Sequence, residues 1–205
     1  SLQSSLGLLA NNKAAALINK LPTPVAALFH SKQGKPFTEP KNPNQKYLEN
    51  LAKKIKSIAV EMEITNLLTA SVNGNKMAVN LPESLLFKSG NSLLKKDKKT
   101  TILLDKLVEL FQKVPFPMSI EGHTDNELIA TTRYQSNWEL SSDRALSVLH
   151  YFVEAGISPK RIQAVAHGEF KPRTTNETLH GKKMNRRVEI QVDVTQPTEE
   201  GVKNG

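Results

Sequence analysis

The alternation of apolar and polar positions becomes regular only after about residue 46. Leu51, Ile55, Ile58, Ala59 and Met62 recur at a helical period, which predicts an amphipathic helix over 47–64. Met77, Val79 and Leu81 alternate as in a half-buried strand, and Asn73-Gly74-Asn75 supplies the turn before it. A second helix is expected from about Ser92 to Lys113, with Leu103, Leu107, Leu110 and Phe111 on its buried side and Pro115 closing it. Met118 and Ile120 mark a short strand that ends in Gly122-His123-Thr124-Asp125.

After a loop, Ser136 and Glu139 have the spacing of a capping box at a helix start. Leu140, Val148, Leu149, Phe152 and Val153 continue that helix to Gly156, whose freedom to adopt positive φ suits a helix end. Ile162, Ala164 and Ala166 suggest a third strand, and Val188, Ile190, Val192 and Val194 make the clearest strand of all. This order predicts an α/β fold: a two-layer sandwich with helices packed on a mixed four-stranded sheet.

Residues 2–21 place Leu2, Leu6, Leu9, Leu17, Ile18 and Leu21 at a spacing that suits a short amphipathic helix, so the N-terminal extension is expected to be partly helical. Five prolines between Pro22 and Gln45 then exclude a continuing helix and predict an extended linker. The expected division is a basic amphipathic and linker segment over 1–45, a folded domain over 46–194 and a polar tail over 195–205. No run of 18 apolar residues is present, so no segment of this sequence reads as a transmembrane helix.

Charge sharpens that division. The chain has 205 residues and a formal charge of +8, yet residues 1–56 alone carry nine lysines against Glu39 and Glu49. The remainder is nearly neutral. A nucleic-acid-binding domain would carry its basic residues on the folded unit, so nucleic acid is not expected as a partner. The basic segment instead suits contact with anionic lipid head groups beside a membrane. Cysteine is absent from the sequence, which excludes disulfides, Cys-ligated metals and a thiol nucleophile.

The common catalytic signatures, including the nucleophile elbow, the phosphate loop and H-E-x-x-H, do not occur. His30, His123, His150, His167 and His180 lack metal-ligand spacing, so neither a metal nor a cofactor is expected, and surface or loop positions are their plain reading. What remains is a set of polar residues at strand and helix ends. Thr124, Asp125 and Asn126 follow a strand, Asn137 and Arg144 lie two turns apart on one helix face, and Asn185, Arg186 and Arg187 open the last strand. Alternation allows only one of Arg186 and Arg187 to enter a common pocket. One carboxylate with two guanidinium groups suits a zwitterionic or anionic ligand, although an isolated Asp–Arg pair is more often a structural ion pair.

Four stretches carry more than their spacing. GHTDN at 122–126, SNWELSSDRA at 136–145, HGEFKPRTTNET at 167–178 and NRRVEI at 185–190 resemble, in order and spacing, the OmpA-like peptidoglycan-binding domain. LPESLLFKSGNSLL at 81–94 resembles that family's first strand and loop. The longer loop after GHTDN is most similar to the periplasmic part of MotB-type flagellar stator proteins.

The resemblance implies non-catalytic binding of the diaminopimelate residue of the stem peptide. Asp125 would hold the ligand ammonium, Arg144 its carboxylate, and Arg186 a further contact, with Thr124, Asn126 and Asn137 in support; Arg187 would be left to a structural ion pair. It also implies a periplasmic domain of an inner-membrane protein whose membrane span precedes residue 1, a homodimer, and a MotA-type channel subunit as partner. The same module in an outer-membrane protein or lipoprotein is the alternative, and a peptidoglycan-modifying enzyme a weaker one. For residues 2–21 the resemblance offers a plug helix, against a plain linker. Two departures from the family stand out: Lys182 where arginine is usual, and Leu128 where proline is.

Overall fold

A computed structural model describes residues 43–195, so the predicted helix over 2–21, most of the proline-rich linker and the tail beyond Thr195 lie outside the described residues. Helix α1 spans Pro43–Glu61. It begins earlier than the apolar period indicates, because Pro43 stands in the first turn, where a missing N–H costs nothing. Strands β1 (Thr69–Asn73) and β2 (Lys76–Pro82) form a hairpin across Gly74, at φ +56°. A four-residue helix, α2 (Glu83–Leu86), follows, and then α3 (Lys98–Gln112), β3 (Met118–His123), α4 (Asn137–Glu154), β4 (Ile162–Ala166), α5 (Leu179–Asn185) and β5 (Arg187–Asp193).

The sheet has five strands, not the four expected, in the order β1-β2-β5-β3-β4. All neighbours are antiparallel except β3 and β4. The additional strand is β1, an edge strand with only Ala70 buried, so its sequence shows too little alternation to reveal it. Helix α3 starts at Lys98 rather than Ser92. Asp97 caps it by accepting from the Thr100 N–H at 2.8 Å, while Leu94 is held in a bridge to Phe87. The last motif also shifts: Asn185 closes a helix, and only Arg187 opens β5.

One face of the sheet carries the core. Met77, Val192 and Met118 form one cross-strand row, and Val79, Ile190 and Ile120 the next. In the third row, Leu81 and Val188 are followed by Gly122, where a Cβ would stand 1.9 Å from the Ser141 carbonyl oxygen. The missing side chain lets the α4 backbone close directly on β3, which sets Arg144, one turn beyond Ser141, beside the end of the strand. Helix α1 covers β1 and β2, α4 covers β3 and β4, and Phe111 of α3 meets Phe152 of α4 with ring centroids 6.0 Å apart. The opposite face is polar, with Glu121 directly across from Glu189 and His123 across from Arg187. Among the described residues no helix is long and apolar enough to cross a membrane.

Candidate functional site

The ends of β2, β3 and β5 and the first turns of α4 converge on four charged side chains. At the end of β2 the Glu83 N–H donates to the Arg186 carbonyl at 2.9 Å, which carries the pairing of the two strands one residue beyond Pro82 and Arg187. That register brings their side chains together, and Glu83 Oε2 accepts from Arg186 Nε at 2.7 Å. Arg186 reaches on to Asp125, donating from Nη1 to Oδ2 at 2.5 Å. Glu83 Oε1 accepts from Arg144 Nη2 and from the Gly90 N–H. The ion pairs therefore run Asp125, Arg186, Glu83, Arg144, two carboxylates against two guanidiniums.

Arg144 is 1% exposed. Its Nε donates to the Asn91 carbonyl at 3.0 Å, its guanidinium lies 5.5 Å from the Phe87 ring centroid, and its Nη1 is buried with no partner. Burial lowers its pKa from the usual arginine value, with the Arg186 charge acting the same way and Glu83 opposing both. Arg186 is raised: its partial burial acts to lower it, but Asp125 and Glu83 outweigh that. A pocket of about 240 Å³ opens here, with Asp125, Arg144, Arg186 and Asn137 on its polar wall and Ile129 and Leu140 on its apolar one. A larger groove of about 740 Å³ shares Glu83 and Arg186 with the site and is edged by Lys88, Lys95, Arg173 and Lys183.

The supporting residues hold the loop after β3. The Thr124 N–H donates to the Gly168 carbonyl at 2.9 Å and its hydroxyl to the Asp125 carbonyl at 2.9 Å. Asn137 spends its amide protons on the Glu127 carbonyl at 2.9 Å and the Asp125 carbonyl at 3.4 Å, so it positions the loop from the pocket wall. Lys182, the residue standing in place of the usual arginine, pairs with Glu127 at 3.0 Å and ties the same loop to α5. Asn126 is exposed and is not among the residues lining the pocket; three residues past the end of β3, it lies on the surface of the loop. Leu128 is 92% exposed.

Arg187 faces the other side of the sheet, as alternation requires. It pairs with Glu189 at 2.8 Å and donates to the Asn185 and Lys171 carbonyls. Sequence reasoning missed Glu83, which lies inside the quoted LPESLLF stretch; an acidic residue directly after Pro82 at a strand end was the available signal. Asn185, singled out with Arg186 and Arg187, is wholly buried as a support of the neighbouring loop: it accepts from the Arg173 and Thr174 N–H groups and donates to the Thr174 carbonyl and to Asn176. Among the described histidines, His150 and His180 are exposed as read, while His123 and His167 depart from the plain reading. His123 is 2% exposed, and its ligand atoms converge with those of Glu121 and His167 on the polar face of the sheet.

These features define a class: a two-layer α/β sandwich that carries a buried carboxylate–guanidinium network at one end of a mixed sheet. Residues 86–186 match the OmpA family. The chain is 36% identical to the uncharacterized protein YtxE of Bacillus subtilis over 73% of its own length, and 29% identical to Motility protein B of the same organism over 72%. It spans 62% and 56% of those two proteins. The structure of the cell wall anchor of the T6SS from Pseudomonas aeruginosa is similar at a TM-score of 0.62, with 27% identity, over 68% of this chain and 96% of that one.

Proposed function

We propose that this domain binds peptidoglycan without chemical change, taking the diaminopimelate residue of the stem peptide. The ligand carboxylate would dock on Arg144 and its ammonium on Asp125. The observation that carries this reading is the unpartnered, buried Nη1 of Arg144, a residue that lines the same pocket as Asp125. A guanidinium N–H left unpaired in a dry wall is costly unless a ligand acceptor completes it. The basic rim of Lys88, Lys95, Arg173 and Lys183 along the adjoining groove suits the acidic groups of a longer polymer.

The match to the OmpA family and the likeness to Motility protein B support a wall anchor rather than an enzyme, in a periplasmic domain of a flagellar stator subunit that works as a dimer with a MotA-type channel subunit. The likeness to a T6SS wall anchor favours a second reading, the same module serving another envelope assembly. The residues upstream of this chain in its parent distinguish the two. The binding itself is tested by co-sedimentation with purified peptidoglycan and by competition with free diaminopimelate. Asp125→Asn and Arg144→Lys, checked for fold by circular dichroism, are each expected to weaken sedimentation by about tenfold or more. Undiminished sedimentation of both folded variants would sink the assignment.

A further inference from the structure

The polar face of the sheet, opposite the helices, holds a second group of side chains that the wall-binding reading does not use. Glu121 and His123 project from β3 to the same side, and His167 follows β4, the parallel neighbour of β3. His167 Nε2 lies 2.9 Å from Glu121 Oε2, and the His123 and His167 rings are tilted 35° to each other with centroids 4.8 Å apart. One possible ligand atom from each residue lies within 4.8 Å of those of the other two.

His123 distinguishes this cluster from an ordinary histidine–carboxylate pair. Its ring is 2% exposed, and neither Nδ1 nor Nε2 has a hydrogen-bond partner, the Lys171 carbonyl coming near without meeting bonding geometry. A buried imidazole with both nitrogens unmatched costs stability unless something completes it. The Glu121–His167 pair would be equally satisfied with leucine at 123.

We propose that Glu121, His123 and His167 form a binding site for a divalent transition-metal ion, best suited to Zn²⁺. Two imidazoles and one carboxylate are a donor set that Zn²⁺ accepts, with a water filling the fourth position. Bonds of 2.0–2.2 Å place tetrahedral donors about 3.3–3.5 Å apart. Small side-chain rotations therefore convert the observed spread into a coordination shell. Coordination replaces the His167–Glu121 hydrogen bond with two metal bonds, and the metal-bound His167 imidazole carries its N–H on the other ring nitrogen. Arg187 and Lys171 oppose a cation here, but Arg187 is already neutralised by Glu189, the cross-strand neighbour of Glu121. The bound ion would clamp the segment after β4, which carries Gly168 and its bond to Thr124, onto the end of β3.

The test uses the full chain after chelator treatment and dialysis. Titration with ZnCl₂ by calorimetry is expected to show one saturable site per chain, and CoCl₂ to give the visible absorption of a tetrahedral Co²⁺ complex. His123→Leu and Glu121→Gln should each weaken Zn²⁺ binding more than tenfold. His150→Ala and His180→Ala should leave it unchanged. If His123→Leu fails to fold, Glu121→Gln with His167→Gln decides the matter. Absence of saturable Zn²⁺ binding, or binding that survives both Glu121→Gln and His167→Gln, overturns the proposal. Peptidoglycan sedimentation is scored separately, so loss of metal binding with sedimentation intact does not count against the wall-binding site.

Discussion

Glu83 and Arg186 are joined twice, through the backbone by the Glu83 N–H to the Arg186 carbonyl at 2.9 Å and through the side chains by Oε2 to Nε at 2.7 Å. The first bond extends the β2–β5 ladder, and the second uses that register to place a carboxylate between two guanidiniums. Glu83 is 6% exposed, so its charge is held by Arg144, Arg186 and the Gly90 N–H in place of water. Losing this one carboxylate would leave Arg144 buried with only a carbonyl partner. Glu83→Ala is therefore expected to destabilise the domain by about 3–5 kcal/mol, the range for breaking a buried pair from one side. Urea denaturation of the two proteins measures it, and a loss below about 1 kcal/mol would show the network to be dispensable for folding.

Gly122 makes a different kind of contribution, through what it lacks. A Cβ there would sit 1.9 Å from the Ser141 carbonyl oxygen, and the obstacle is backbone that cannot rotate away. Gly122→Ala is expected to cost about 3 kcal/mol or more, since α4 must lift off β3 to admit one methyl group. Because Arg144 travels with α4, the variant should also lose peptidoglycan sedimentation at temperatures where it remains folded. A midpoint in urea equal to that of the parent chain would contradict the close approach.

Legibility in the sequence followed how directly each feature depends on local pattern. Strand β5 was plain because Val188, Ile190 and Val192 alternate with polar residues over a strand buried on one face. Helix α4 was plain because Ser136 caps it, accepting from the Trp138 N–H at 3.2 Å, and Gly156 ends it at φ +98°. Strand β1 was hidden because an edge strand needs little burial. Helix α5 was hidden because its buried positions are Gly181 and Asn185, which form no apolar period. Within the site, Asp125, Arg144 and Arg186 stood in recognisable motifs and meet in space. Glu83 did not stand out, because its role arises from a strand pairing 103 residues apart along the chain. Asn126 stands in the same motif as Asp125 but is exposed beside the pocket rather than in its wall.

His123 predicts an acid sensitivity that begins above the carboxylate range. Burial, with the charges of Arg187, His167 and Lys171 adding to it, lowers its pKa from 6.5 to about 3. The unfolded chain therefore takes up this proton at higher pH than the folded one. Stability is full above pH 6.5 and declines as the pH falls toward 3, at about 1.4 kcal/mol per pH unit from this group. Urea midpoints of chelator-treated protein between pH 7 and pH 5 should fall accordingly. In His123→Leu this decline should flatten, and an identical pH dependence in the two proteins would show that the histidine is not held neutral by its surroundings.

The pocket assignment separates two neighbouring residues that the GHTDN motif presents alike. Asp125 is 3% exposed and its carboxylate is oriented from both sides, Oδ2 by Arg186 Nη1 and Oδ1 by the Glu127 N–H at 3.2 Å. Asn126 is exposed and lies off the pocket wall. Asp125→Asn keeps the shape but removes the charge that a ligand ammonium needs, and it weakens the hold on Arg186. A charge-assisted hydrogen bond contributes about 1.5–3 kcal/mol, so binding to peptidoglycan should fall by roughly tenfold to a hundredfold. Asn126→Ala should bind within about twofold of the parent chain, as expected for a surface substitution away from the contact. Quantitative co-sedimentation across a peptidoglycan concentration series measures both. If Asn126→Ala lost binding while Asp125→Asn kept it, the ligand would have to sit outside the pocket, on the solvent face of the loop.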